Sequence, residues 1–219
     1  MGSAPSPLPS AHGTPTDDLP AVRPPLPVKM VVAGGFGVGK TTAVAAVSEI
    51  EPLTTEAPIT EASRGVDDLR ATVDKTTTTV AMDFGRISIG TEYVLYLFGT
   101  PGQQRFWFMW DDLCTGALGA IVLADTQRLE DCFEAVDFFE SRGIPFLVAV
   151  NRFDGTLAYP VEEVRSALEL RAEVPVVECD ARNRESSVGV LLTLVEHLLD
   201  TEPVPARPVA ARSLDGRKP

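Results

Sequence analysis

The sequence predicts an α/β three-layer sandwich with a mostly parallel central sheet, and three observations support this fold class. Short apolar runs typical of buried strands alternate along the chain with segments of helical periodicity. Two of these runs, 117–125 and 144–151, are continuously apolar, as expected for strands covered on both faces of a parallel sheet. The first run, 28–33, leads through a glycine-rich turn into a helical segment at 41–50.

The remaining elements follow in chain order. The stretches TVAMDFGRISIG and TEYVLYLFG alternate around Gly90-Thr91, which predicts a β-hairpin. Residues 51–78 are rich in Thr, Glu, Asp and Pro and lack periodicity, so they are predicted to form a long loop of the kind that is often functional. Amphipathic helices are expected at 129–141, 161–170 and 187–200, and a last strand at 174–179.

The two ends of the chain differ in composition from its middle. Residues 1–27 hold eight of the eighteen prolines and few large apolar residues, which predicts a disordered arm. Residues 202–219 hold four more prolines and are predicted to be a disordered tail. The folded unit is therefore expected to be one domain over residues 28–201.

Composition and charge exclude several classes of protein. The net charge is −12; because the arm contributes −1 and the tail +2, the central domain carries −13. Such a surface repels nucleic acid and anionic lipid, so no nucleic acid partner is expected. No apolar run reaches the roughly 18 residues that span a bilayer, so direct membrane insertion is not expected either. The widely spaced Cys114, Cys132 and Cys179 fit the reduced thiols of a cytoplasmic protein.

The strongest motif is GGFGVGKTT at residues 34–42, which satisfies the pattern G-x-x-x-x-G-K-[ST]. Its glycines let main-chain N–H groups approach a polyphosphate, Lys40 would neutralise the β and γ phosphates, and the Thr41 hydroxyl would bind Mg²⁺. A glycine-rich turn with a chance lysine is the alternative, but the preceding strand and following helix favour a phosphate loop. The residues expected to contact nucleotide are Gly34, Gly35, Phe36, Gly37, Val38, Gly39, Lys40, Thr41 and Thr42.

Two further motifs indicate guanine as the base. NRFD, residues 151–154, stands at the end of a predicted strand, where ligands bind in open α/β sheets. The Asp154 carboxylate can accept from both N1–H and the 2-amino group of guanine, while adenine offers neither in that arrangement. Asn151 would tie this segment to the phosphate loop, and the Arg152 stem would cover the base. In CDAR, residues 179–182, the Ala181 N–H would donate to guanine O6. A solvated turn is the alternative; the expected base site is Asn151, Arg152, Asp154, Asp180, Ala181 and Arg182.

With these motifs the chain resembles the Ras-like small GTPases, and more closely the bacterial ones encoded in the conservons of actinobacteria. The resemblance covers residues 28–200 and implies GTP and GDP binding with Mg²⁺, GTP hydrolysis, and a switch between two conformations. Within GTPGQ it implies that the Gly102 N–H senses the γ-phosphate and that Gln103 orients the attacking water. Lys40, Gly102 and Gln103 are therefore the expected catalytic residues. Thr79, chosen from the TTTT run with Thr78 as second choice, is expected to bind Mg²⁺ together with Thr41.

The chain departs from the family pattern at two positions. Switch II in the family reads D-x-x-G-Q, but Gly99 replaces the aspartate that holds a Mg²⁺-bound water. Either Mg²⁺ binds more weakly as a result or another carboxylate substitutes, and Asp125 at the end of its strand is the candidate. Phe36 stands in the phosphate loop where many members have glycine, and its ring is expected to crowd the space beside Gln103. Slow intrinsic hydrolysis is the resulting hypothesis.

Other candidate groups are given ordinary roles. Arg64, Arg70 and Arg105 are candidates for transition-state charge but are expected to be surface residues. His12 and His197 are expected in the arm and on a helix face.

The segment FWFMW at residues 106–110 follows the glutamine directly. Five large apolar residues in succession cannot all face one core stripe of a helix, so two or three are expected inside and the rest available to a partner. The resemblance implies as partners a roadblock-type regulatory protein, a sensor-kinase-like membrane protein and a small companion. It also implies a cytoplasmic location with recruitment to a membrane through those partners.

The expected function is a small GTPase switch that hydrolyses GTP slowly and presents the aromatic segment to signalling partners. The alternative is a scaffold that binds GTP, GDP or ATP and hardly hydrolyses it; Gly99 and Phe36 favour this second reading. A P-loop ATPase or kinase would leave NRFD without a role.

Overall fold

The computed structural model describes residues 24–51, 53–54, 82–102, 104–154 and 159–200, with the backbone alone described at residues 54, 104 and 105. Within these residues the chain forms seven strands and five α-helices. The strands are β1 (Leu26–Ala33), β2 (Leu53–Thr54), β3 (Asp83–Ile89), β4 (Tyr93–Gly99), β5 (Gly119–Ala124), β6 (Phe146–Asn151) and β7 (Val176–Cys179). The helices are α1 (Lys40–Val47), α2 (Trp110–Cys114), α3 (Phe133–Arg142), α4 (Val161–Ala167) and α5 (Arg184–Asp200), with 3₁₀ turns at Gln104–Met109 and Leu129–Cys132.

The strands form one sheet in the order β2-β3-β4-β1-β5-β6-β7. The β1–β4, β1–β5, β5–β6 and β6–β7 pairs are parallel, and only β2–β3 and β3–β4 are antiparallel. The predicted hairpin is therefore confirmed, with Gly90 at φ 57° in its turn. The mostly parallel α/β class is confirmed as well.

Helices cover the sheet on both faces and make the three layers. One core packs α1 and α5 against Met30, Val32, Leu97 and Ile121. The other core packs α2, α3 and α4 against the opposite face of β1, β5, β6 and β7, with Phe139 at 0% exposure. Since β5 and β6 are buried along their whole length, their continuous apolar sequences are explained by contact with both cores.

Element boundaries differ from the predictions by a few residues. β1 begins at Leu26 rather than Val28, because Leu26 and Pro27 lie beside Tyr93 and Val94 of β4. α1 ends at Val47, before the predicted residue 50: the Ser48 hydroxyl donates to the carbonyl of Ile50 and accepts from its N–H, which turns the chain. The predicted loop 51–78 contains β2, and its residues 55–78 lie outside the described part, as do residues 1–23 and 201–219.

All three cysteines are buried free thiols. Burial raises the pKa of Cys114 to about 11 and that of Cys132 to about 12, and it raises the pKa of Cys179 as well. These thiols are therefore protonated and poor nucleophiles at neutral pH. Within the described residues, no helix is both long and apolar enough to cross a bilayer.

Parallel pairing brings the carboxyl ends of five strands to one edge of the sheet. These ends are Ala33, Gly99, Ala124, Asn151 and Cys179. Each is followed by a motif or loop that the sequence marks as functional, so the fold gathers those segments on one side of the molecule.

Candidate nucleotide-binding site

The phosphate loop joins β1 to α1 in a conformation that needs glycine. Gly34, Gly37 and Gly39 have φ of 132°, 74° and 103°, in a region that side-chain-bearing residues rarely adopt. Space is also short, because a Cβ on Gly34 would lie 2.4 Å from the carbonyl oxygen of Leu123. The path of the loop therefore favours glycine at these three positions.

Lys40 is buried beneath the loop, with 8% of its surface exposed. Its Nζ donates to the carbonyls of Gly34 (2.9 Å) and Gly35 (2.6 Å). Burial lowers the lysine pKa to about 8, although the negative charge of Asp83 opposes this shift. Because a buried ammonium is stabilised by a nearby anion, the site fits a phosphate group. Gly102 lies close by, since a Cβ there would be 2.6 Å from Nζ.

Thr41, the predicted Mg²⁺ ligand, follows Lys40 in the first turn of α1. Its hydroxyl donates to Asp83 Oδ2 at 2.7 Å. Asp83 is the first residue of β3 and is 7% exposed. With the hydroxyl proton directed at the carboxylate, the oxygen lone pairs of Thr41 remain for a cation. The donor set thus fits Mg²⁺, which binds proteins through few side chains and completes its shell with phosphate and water. Among the described residues, no cluster of three or more metal-ligating side chains is present.

The expectation that Asp125 supplies the carboxylate missing at position 99 is wrong. Asp125 follows β5 and accepts from the Gln127 N–H (2.9 Å) and from the Arg128 guanidinium (3.2 and 3.3 Å). It therefore closes the loop after β5. Asp83 was missed because it lies in the predicted hairpin, and only strand register shows that it faces Gly99.

Asn151 joins three segments of the site and is 6% exposed. Its Nδ2 donates to the Val38 carbonyl (2.9 Å), which is the predicted tie to the phosphate loop. Its Oδ1 accepts from the Ala181 N–H (3.0 Å). That N–H, expected to donate to guanine O6, is thus bonded to Asn151 in this structure.

Asp154, the carboxylate predicted to read the base, lies at the rim and forms an ion pair with Arg182. Arg182 donates to its two oxygens at 2.7 and 3.2 Å and also binds both oxygens of Asp180. These hydrogen bonds, with the positive charge behind them, lower the pKa of Asp154 and of Asp180 and raise that of Arg182. Asp154 is consequently held as the carboxylate that can accept from a base.

Arg152, whose stem is predicted to cover the base, is held at both its side chain and its main chain. Its guanidinium forms an ion pair with Glu178 of β7, and its N–H donates to the Cys179 carbonyl at 2.7 Å. This side chain fastens the NRFD segment to the last strand.

Several predicted residues lie outside the described part of the chain. They are Gln103, Thr79 with its neighbours Thr76–Thr78, Arg64, Arg70 and His12; of Arg105 only the backbone is described. Thr42 is exposed in the first turn of α1, and His197 is partly buried on α5, as expected for a helix-face residue.

The aromatic segment divides as the sequence predicts. Phe106 and Trp110 are 4% and 2% exposed, whereas Phe108 is 47% exposed and Trp107 and Met109 are intermediate. Trp110 packs in the core beside Phe138 and Phe139. A cavity separates this segment from the phosphate loop, and its lining includes Phe36, Gly102, Trp107 and Trp110.

Comparison with known proteins shows the family of this chain. A family model described as "Conserved hypothetical ATP binding protein" matches residues 32–201. The chain belongs to this family. The uncharacterized protein MJ1339 of Methanocaldococcus jannaschii is 30% identical over 129 residues, which cover 58% of this chain and 71% of that protein.

Solved structures of the same fold include two G domains. The cytosolic domain of the T. maritima FeoB iron transporter in a GDP form is 19% identical with a TM-score of 0.59; the match covers 82% of this chain and 66% of that one. The FeoB G domain of Methanococcus jannaschii is 14% identical with a TM-score of 0.55, and the match covers 80% and 99%. The chain thus spans just under two thirds of the first and nearly all of the second. The likeness shows the fold, a P-loop NTPase G domain, and the protein is a nucleotide-binding protein of that fold.

Asn151→Ala should uncouple the base segment from the phosphate loop. The change leaves the Val38 carbonyl and the Ala181 N–H without their partner, so the free energy of unfolding should fall by about 1–3 kcal/mol in denaturant titration. Nucleotide affinity measured by calorimetry should fall too. Asn183→Ala removes an amide that accepts from the Ser186 N–H at the start of α5 and should leave nucleotide affinity unchanged. Equal nucleotide affinity in both variants would contradict the role given to Asn151.

Proposed function

We propose that the protein is a guanine-nucleotide switch that binds GTP and GDP with Mg²⁺, hydrolyses GTP slowly, and presents its aromatic segment to signalling partners. The proposal rests foremost on Asn151, which bonds both the phosphate loop and the CDAR loop and so places Asp154 on the same edge as Lys40. Adenine would leave that carboxylate without the donors it is arranged to accept.

The anion site supports the phosphate end of the proposal. Lys40 would bind the β and γ phosphates, because its two carbonyl contacts hold Nζ beneath the loop and an anion would relieve the cost of burying its charge. The main-chain N–H groups of Gly34 through Thr41 would surround the phosphates, and the first turn of α1 adds the positive end of a helix. Mg²⁺, when bound through Thr41, would neutralise phosphate charge. Gly102 is close enough to Lys40 for its N–H to respond to a γ-phosphate.

The family description names ATP, which keeps one alternative open. In that alternative the protein is a scaffold that holds ATP or a guanine nucleotide and hardly hydrolyses it. The observation that favours it is the Arg182–Asp154 ion pair, because a carboxylate already bound to a guanidinium discriminates less between bases.

Asp154→Asn tests the choice of base. The variant should lose about 10- to 100-fold in GDP affinity, which corresponds to about 1.5–3 kcal/mol for hydrogen bonds to a charged group. It should gain affinity for xanthosine diphosphate, since a carboxamide N–H can donate to the 2-oxo group of xanthine. Calorimetry with GDP, xanthosine diphosphate and ADP gives the comparison, and Glu178→Gln, at the carboxylate paired with Arg152, serves as the control. ADP binding as tight as that of GDP, unchanged by Asp154→Asn, would favour the scaffold.

Phe36→Gly tests the cause of slow hydrolysis. A Cβ on Gly102 would lie 3.0 Å from the Phe36 Cα, so the Phe36 ring projects from the main chain that borders the switch segment. Removing the ring should raise the single-turnover GTP hydrolysis rate about tenfold, equivalent to about 1.4 kcal/mol of barrier. Phe36→Leu keeps a bulky side chain and should retain the slow rate. An unchanged or lower rate in Phe36→Gly would show that crowding by the ring is not the cause.

The aromatic segment supplies its own reporter, because Trp107 and Trp110 are the only two tryptophans in the chain. Replacing GDP by a non-hydrolysable GTP analogue should change the emission of the partly exposed Trp107 more than that of buried Trp110. Trp107→Phe should therefore remove most of the fluorescence change, and Trp110→Phe little of it. Identical spectra of the wild-type protein in both nucleotide states would argue against a moving patch.

The partners of such a patch belong to the proposal as well. The resemblance to conservon GTPases suggests a roadblock-type regulatory protein and a sensor-kinase-like membrane protein. Phe108 is the exposed anchor suited to partner studies, since replacing Trp110 would remove core contacts.

A further inference from the structure

Asp83 and Gly99 share one space beside the phosphate loop. They are direct partners in the antiparallel β3–β4 pair. A Cβ on Gly99 would lie 2.9 Å from Asp83 Oδ2 and 3.0 Å from Asp83 Cβ. A side chain at position 99 would therefore displace the carboxylate of Asp83 from its present position.

The carboxylate in that space acts on the phosphate loop. Thr41 donates its hydroxyl hydrogen to Asp83 Oδ2 at 2.7 Å, across 42 residues of sequence. Asp83 also raises the pKa of Lys40 against the effect of burial. The next residue after Gly99, Thr100, has a buried hydroxyl without a hydrogen-bond partner among the described residues. The Asp83 carboxylate and the Thr41 hydroxyl therefore lie together where a metal is expected, and Thr100 follows Gly99 directly in the sequence.

We propose that Asp83 supplies the metal-organising carboxylate of this site, transferred from β4 to the paired position on β3. The inference rests on the proposed function, because it assumes that nucleotide binds with Mg²⁺ through Thr41. Asp83 is a positioning residue in this scheme: it holds the Thr41 hydroxyl with its lone pairs toward the cation and adds negative charge close to it. Gly99 then leaves room for the Asp83 side chain, and the Asp83 carboxylate compensates for the carboxylate that position 99 lacks.

The test measures how Mg²⁺ controls nucleotide retention in the full-length protein. Protein loaded with N-methylanthraniloyl-GDP is followed for release across a series of Mg²⁺ concentrations and in EDTA. Asp83→Asn should raise the Mg²⁺ concentration that half-maximally slows release by about 10- to 100-fold, as expected for loss of an outer-shell partner. Release in EDTA should change little, because without metal the carboxylate has no cation to organise.

An exchange of the two side chains provides a rescue. Asp83→Gly alone should show the same weakened Mg²⁺ dependence, and the double variant Asp83→Gly with Gly99→Asp should recover most of it. Asp125→Asn is the matched control, since Asp125 is equally buried at 7% exposure and directly follows the nearby strand β5. Circular dichroism and thermal melting in EDTA establish that each variant is folded.

The outcomes separate the two proposals. Wild-type Mg²⁺ dependence in folded Asp83→Asn, or an exchange variant no better than Asp83→Gly, would overturn the inference and leave the proposed function standing. A wild-type protein that binds neither GDP nor GTP at any Mg²⁺ concentration would overturn the proposed function, and the inference with it. If the exchange variant fails to fold, the Mg²⁺ dependence of nucleotide release in Asp83→Asn, compared with that in Asp125→Asn, decides the inference.

Discussion

A buried lysine ammonium at the phosphate loop constrains the rest of the site. The central domain carries a charge of −13, and Lys40 is nonetheless removed from water, where burial lowers its pKa to about 8. Two loop carbonyls and the charge of Asp83 keep the cation in place without a ligand. An electronegative domain can therefore attract an anionic ligand at one point, because main-chain N–H groups and a single lysine are concentrated there.

The antiparallel pair β3–β4 determines which side chain contacts Thr41 beside the phosphate loop. Asp83 begins β3 and Gly99 ends β4, so the carboxylate reaches Thr41 from the strand opposite the one that carries it in the family pattern. Because a Cβ on Gly99 would lie 2.9 Å from Asp83 Oδ2, the Asp83 carboxylate occupies this position only when residue 99 has no side chain. The motif alone shows the loss of a carboxylate at position 99, whereas the folded protein has one at the paired position 83.

At the other end of the site, the residues predicted to read the base also hold loops of the protein together. Asn151 uses its whole amide to join the phosphate loop and the CDAR loop, so it is structural even without a nucleotide. Asp154 is left at the rim with Arg182 as its partner, and an incoming base would compete with that arginine. On the other side of the phosphate loop, the aromatic segment is anchored by Phe106 and Trp110, while Phe108 faces solvent. The anchored residues couple the segment to the core, and the exposed one is available for recognition.

The sequence alone determined the features whose residues are contiguous: the order of strands and helices apart from β2 and α2, the phosphate loop, the NRFD and CDAR motifs, and the split burial of FWFMW. Such features depend on local periodicity and on glycine's backbone freedom, and both are written in neighbouring residues. The substitute role of Asp125 was expected wrongly, since its carboxylate is held by the Gln127 N–H and by Arg128, which belong to no motif. Only the tertiary structure decided that Asp83 contacts Thr41 and lies opposite Gly99. Asp83 is 42 residues from Thr41 and 16 residues from Gly99 in the sequence. Strand register brings them together, and no pattern along the chain encodes register at that precision.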